Sequence, residues 1–176
     1  MDDSPVLTDA LREYRTYRTM AEKAMAQVTD EELFRQIDQE SNSIAIIVKH
    51  LSGNLKSRWT DFLTTDGEKS DRDRDGEFIT ETVDTRAGIE ARWQEAWRIS
   101  LATLESMSDR DLQREITIRG EPHTVLKAIN RNLTHLAYHV GQITFLAKHL
   151  AGDRWKTLSI PRNKNRRPGD AKAPTR

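Results

Sequence analysis

The chain has no cysteine among its 176 residues. That absence removes disulfides, thiolate metal ligands and a cysteine nucleophile together, so any metal must rely on histidine and carboxylate. Neither charge is in excess: 28 lysines and arginines balance 28 aspartates and glutamates. No overall field therefore recruits nucleic acid or an anionic membrane surface. No apolar run approaches the roughly 20 residues that a membrane span requires. The N-terminal Met-Asp-Asp-Ser-Pro is acidic with no apolar run behind it, unlike a signal peptide. The expectation is a soluble cytoplasmic protein. No Ser-His-Asp order, P-loop or G-x-G-x-x-G fingerprint occurs.

What the chain does have is charge in helical register. Charged residues make up 32% of it and the mean hydropathy is −0.76, which fits amphipathic helices with heavily charged outer faces. Its size suits one domain with a sizeable core. Apolar residues at Leu7, Leu11, Tyr14, Ala21, Met25 and Val28 predict a first helix over Thr8 to Val28. Thr29 followed three residues later by Glu32 reads as a capping box on a short turn. A second helix is predicted from Ser43 to Leu63. It contains Gly53, which costs roughly 1 kcal/mol relative to alanine there and suggests close approach of a neighbouring helix. Thr64 to Asp84 is polar and reads as a long connection. A third helix is predicted from Thr85 to Met107, with Ile89, Trp93, Trp97 and Leu104 inward. Glu115 to Arg119 alternates like a short strand ending at Gly120. Pro122 then suits the first turn of a fourth helix running to Leu150. The fold expected is all-α, a four-helix bundle with a long crossover between helices two and three and a short extended segment before helix four. Residues 1–160 form the bundle domain, and residues 161–176 form a basic, flexible tail.

The chemistry concentrates in histidine. His135 and His139 are one turn apart on the predicted fourth helix, so their imidazoles point the same way. A helical wheel places His139 in the apolar stripe of Ile129, Leu136, Ile143 and Leu150, with His135 at its edge. His50 sits at the inward margin of the second helix. Asn54, Asn132 and Gln142 are placed to orient imidazoles, or simply to satisfy buried neighbours. His123 falls in a polar context at the predicted helix start, and His149 falls near the helix end, where a cation complements the dipole. A helical H-x-x-x-H pair in a chain with five histidines also has a purely structural reading. If a metal binds, three neutral imidazoles favour zinc, nickel or ferrous iron over magnesium or calcium. Zinc in such a site lowers the pKa of water towards about 7, which supports hydrolysis or activation of a thiol. Leu136, Ala137 and Tyr138 lie between the paired histidines with no glutamate among them, which disfavours a zincin protease.

Taken together, His50, the run His135-Leu-Ala-Tyr-His139-Val-Gly-Gln-Ile and the long crossover resemble the DinB-like superfamily. The similarity extends from about Leu7 to Arg162 and is closest to an uncharacterised bacterial branch. Three blocks carry that likeness: Ser41 to Leu51, the loop from Thr65 to Phe78, and Trp155 to Pro161. The resemblance implies a metal triad of His50, His135 and His139, a divalent ion that is commonly zinc or nickel, and a homodimer. It further implies a metal-dependent hydrolase, or a transferase using a low-molecular-weight thiol with a small-molecule substrate. The alternative is a non-catalytic dimeric binding or stress-associated protein. Pro161-Arg162-Asn163-Lys164 departs from the family's tail pattern, whereas the triad is intact.

Other motifs weigh less. Asp71-Arg72-Asp73-Arg74-Asp75-Gly76 resembles the start of a calcium loop, but Thr82 occupies the twelfth position and two arginines sit among the would-be ligands. A loop folded by internal arginine–carboxylate pairs is the better reading, and it could also cover the site mouth or meet a dimer partner. The basic tail carries no aromatic residue after Trp155 to stack on bases. Asn132-Leu133-Thr134 fits a glycosylation acceptor but lies in a predicted buried helix. Trp59, Trp93 and Trp97 are expected in the core or an interface, and Tyr14, Tyr17 and Tyr138 in packing with one polar contact.

Overall fold

The computed structural model describes residues 5–161. Among them are five α-helices and one two-stranded hairpin: α1 (Pro5–Met25), α2 (Asp30–Phe34), α3 (Ile44–Trp59), α4 (Arg86–Glu105), β1 (Glu115–Ile118), β2 (Glu121–Thr124) and α5 (Val125–Ala151). The chain is mostly helical, and no described helix is long and apolar enough to cross a membrane. The tail expected over residues 161–176 lies, apart from Pro161, outside the described residues.

The helix ends follow local chemistry. Thr29 and Glu32 form the expected capping box at α2, and Ser43, Thr85 and Thr124 each accept a backbone N–H at the starts of α3, α4 and α5. Helix α3 stops at Trp59, short of the predicted Leu63: Thr60 is already extended (ψ 125°) and Asp61 follows in a left-handed conformation (φ 47°). The predicted start of the last helix at Pro122 is corrected. Residues Glu121–Thr124 pair antiparallel with β1, Pro122 facing Thr117, so the helix begins only at Val125. A two-stranded ribbon consists of edges only, and there proline's missing N–H costs little.

Four long helices share one core. Helix α3 packs mainly on α4, and α1 mainly on α5. Arg15 pairs with Glu105, while Arg86 donates to the carbonyls of Met25 and Val28, so α1 and α4 run antiparallel. Lys49 meets Asp84 just before α4, and Thr103 donates to the Trp59 carbonyl, so α3 and α4 run parallel. The chain between them must therefore return along the molecule, which is the reason for the long crossover over residues 60–85. At the centre Tyr14, Trp59, Trp93 and Trp97 are fully buried. Tyr14 meets Trp59 and Trp97 edge-on at 5.9 and 6.2 Å. Asn132 accepts from Tyr14 Oη at 2.8 Å and from Trp59 Nε1 at 3.1 Å, and donates to Asn54 at 3.0 Å. Burial raises the Tyr14 pKa well above its ordinary value, with only the Arg58 charge opposing, so it stays a neutral donor. Of the three amides that the sequence sets near the histidines, Asn54 and Asn132 take the second of their two readings and satisfy this buried network.

The crossover is tied down rather than loose. Gly67 donates to the Thr117 carbonyl, and Asp66 accepts from the backbone N–H groups of Arg119 and Gly120, both at 2.8 Å. Lys69 donates its backbone N–H to Ser57, and Lys49 donates to the Ile79 carbonyl and to Asp84. The Lys49–Asp84 pair is buried, its side chains 5% and 2% exposed. Arg72 pairs with both Glu68 and Glu77. The calcium-loop resemblance thus resolves into internal arginine–carboxylate pairing.

Candidate metal centre

The structure brings His50 of α3 together with His135 and His139 of α5. One ring nitrogen from each lies within 4.8 Å of the others. His50 is buried, and His135 and His139 are half-buried. His50 Nε2 and His135 Nε2 stand 3.2 Å apart. Two nitrogens bound at 2.0–2.1 Å with a tetrahedral angle would be roughly 3.3 Å apart. The spacing of this pair therefore fits a zinc-like ion. His123 and His149 remain apart from the cluster: His123 is in β2 and contacts Arg131, and His149 is exposed in the last turn of α5.

Two of the three rings are oriented through their second nitrogen. His50 Nδ1–H donates to Glu77 Oε2 at 2.9 Å, and His139 Nδ1–H donates to Gln142 Oε1 at 2.8 Å. Both bonds leave Nε2 with a lone pair for the centre, the arrangement metal-binding histidines usually need. The Glu77 carboxylate is in turn gripped by Arg72, whose Nε and Nη2 donate to its two oxygens at 2.7 Å each. Burial alone raises the Glu77 pKa, but the His50 and Arg72 hydrogen bonds outweigh it and hold the carboxyl below its usual range. Phe78 packs its ring 4.8 Å from that of His50. Gly53 makes this approach possible: a Cβ there would collide with the Glu77 carboxylate. The sequence expectation that Gly53 admits a neighbouring helix is corrected, since the visitor is a carboxylate from the crossover.

The electrostatics disfavour a proton on the two α5 histidines. Burial first, then the neighbouring His139, His50, Arg72 and Arg58, lowers the His135 pKa to about 3. Burial likewise lowers that of His139, against the hydrogen bond with Gln142. Neutral imidazoles are the form that binds metal.

A family model described as "Protein of unknown function (DUF1572)" matches residues 3–164. The chain belongs to DUF1572. That DUF1572 match takes in all the described residues, hence all three clustered histidines and the crossover that orients His50. No curated protein matches the chain.

Sequence reasoning found the three histidines and Gln142 but missed Glu77, Arg72 and Phe78. Glu77 is 27 residues from His50 in a stretch without periodicity. Two traces were there: Gly53, a helix-interior glycine whose cost needed a reason, and the arginine–carboxylate loop that could cover the site mouth.

Proposed function

We propose that this DUF1572 chain is a DinB-like four-helix bundle binding one divalent ion, zinc or nickel, through His50, His135 and His139. The observation that carries the reading is the convergence of three imidazoles from two helices, two of them oriented by Glu77 and Gln142. Such an ion would supply Lewis acidity, lowering the pKa of a water or thiol that reaches it.

The surrounding residues favour thiol-dependent transfer over hydrolysis. Glu77 is the carboxylate hydrogen-bonded to the cluster, and both its oxygens are occupied by Arg72 and His50. It holds His50 Nδ1–H in place and is not free to take a proton from water. A thiol needs that help least, because coordination alone deprotonates it. The cosubstrate proposed is accordingly a low-molecular-weight thiol, acting on a small molecule in the cytoplasm.

A homodimer is proposed as well. Tyr138 and Phe145 on α5 are 64% and 68% exposed, and Gly141 lies between them with nothing near its would-be Cβ. A mid-helix glycine costs about 1 kcal/mol, and a second copy packing closely at that point would offset it.

Elemental analysis of protein purified without a histidine tag tests the centre. The wild type should hold one ion per chain. His50→Ala should hold none while keeping a mostly helical circular dichroism spectrum. Undiminished metal in that variant ends the triad reading.

A further inference from the structure

Beside the histidine cluster lies a cavity of about 200 Å³, and its most conspicuous lining is arginine: Arg58, Arg72, Arg74, Arg119 and Arg131, together with His50 and His135. No carboxylate lines it. A whole-chain charge of zero therefore conceals a strongly cationic recess at the one place where reacting groups would meet.

The protein's own anions leave much of this charge uncompensated. Arg72 is paired with Glu68 and Glu77, and Arg119 reaches Glu68 at 3.5 Å. Arg74 stands over the Phe78 ring and meets a carboxylate only at 3.9 Å, that of the exposed Asp75. Arg131 touches the His123 ring, and Arg58 donates Nε–H to the Gly67 carbonyl; neither has a carboxylate partner among the described residues. Arg58 is nonetheless buried, 5% exposed. Burial, followed by the charge of Arg131, lowers its pKa to about 10, with Glu68 opposing and Arg72 and Arg119 adding to the fall. A guanidinium shifted that far from its usual value above 12 is in a field that an added anion would relieve.

Backbone strain at Arg119 points the same way. Arg119 and Gly120 form the two-residue turn of the β1–β2 hairpin with φ of 57° and 74°. Such a turn strongly prefers asparagine or glycine at its first central position, and a long side chain is disfavoured in the left-handed region. Asp66 clamps the turn by accepting both backbone N–H groups. The strained residue is one of those that line the cavity.

We propose that this recess is an oxyanion subsite, taking the phosphate, carboxylate or sulfonate group of a small substrate whose reacting atom lies at the three-histidine centre. The proposal rests on the metal reading above for the reacting atom but not for the anion. Guanidinium groups match the planar, multi-oxygen geometry of such anions. The volume holds about seven waters, room for an anionic head group and a few further atoms. That small volume and the balanced net charge favour a small molecule over a nucleic-acid strand.

Isothermal titration of inorganic phosphate and, separately, malonate into metal-free full-length protein at fixed ionic strength tests it. One anion should bind per chain. Arg131→Gln and Arg119→Asn should each weaken it about tenfold or more, with zinc stoichiometry kept at one. Arg119→Asn should do so while leaving the melting temperature unchanged or higher, because asparagine suits the turn. Preference for phosphate assigns phosphate esters, and preference for malonate assigns carboxylates. Absence of anion binding, or affinity unchanged in both variants, overturns the subsite while leaving zinc binding untouched. Arginine-dependent anion binding in a protein that takes up no zinc supports the subsite and sinks the metal reading instead. Tight, steeply salt-dependent binding of a single-stranded oligonucleotide, with phosphate ignored, overturns the small-molecule assignment.

Discussion

Gly53→Ala sets helix propensity against site geometry. Propensity alone says the change stabilises α3 by about 1 kcal/mol, since glycine is the poorer interior helix residue. The structure says the opposite, because the new methyl would occupy the place of the Glu77 carboxylate. That carboxylate makes three hydrogen bonds, two from Arg72 and one from His50. Hydrogen bonds to charged groups contribute about 1.5–3 kcal/mol each, so losing even one exceeds the propensity gain. Losing two gives a net cost of about 2–5 kcal/mol. At roughly 2–4 °C per kcal/mol for a domain of this size, the melting temperature should fall by about 4 °C or more. His50 would also lose the acceptor that fixes its tautomer, and zinc affinity should drop about 10- to 100-fold. Thermal melts by circular dichroism and zinc competition against a chromophoric chelator read the two effects separately. A variant that melts higher than wild type and holds zinc equally well would refute the account of how the crossover meets α3.

Glu77→Gln keeps the side-chain volume but removes the charge that Arg72 faces; zinc should bind at least tenfold more weakly, and equal affinity would show that His50 needs no anionic acceptor. Asn132→Ala strands the buried Tyr14 hydroxyl and Trp59 N–H, costing about 2–4 kcal/mol in urea unfolding; a loss below 1 kcal/mol would mean those donors find other partners. Asp84 and Glu77 both have lowered pKa values, burial being outweighed by Lys49 in one case and by His50 and Arg72 in the other. Their stabilisation is therefore complete above the ordinary carboxylate range and lost as pH falls below about 4. The melting temperature should drop between pH 5 and pH 3, and less so in Asp84→Asn; a flat profile would contradict the pairing. Phe145→Asp should convert a dimer to a monomer in size-exclusion chromatography with light scattering, and an unchanged mass rejects α5 as the interface.

Periodicity made the helices readable because each buries a continuous stripe, and it placed the triad because His135 and His139 share a face with Leu136 and Ile143. It failed where tertiary contact overrides local pattern. Pro122 suggested a helix start, yet pairing with Thr117 claimed its backbone for a strand. The second helix was drawn too long because Phe62 and Leu63 continue the apolar pattern past Thr60, where the backbone leaves the helix. Asn54 sat one turn from His50 on the same helix, but the buried Asn132 amide claimed it. Glu77 and Arg72 stayed hidden for a simpler reason: a crossover has no period, and nothing along the chain says which α3 residue it will touch.

Asp66 reaches from the crossover to the hairpin turn, and Gly67 beside it holds the Thr117 carbonyl. The return stretch is thereby fastened to the ribbon, far from it along the chain, and the Gly67 carbonyl ties it back to Arg58 of α3. The same stretch that holds the turn carrying Arg119 supplies Glu77, the acceptor of His50. Shortening the return stretch would leave every histidine in the chain yet unfasten both at once, so the length of that stretch is as much a part of the site as the rings themselves.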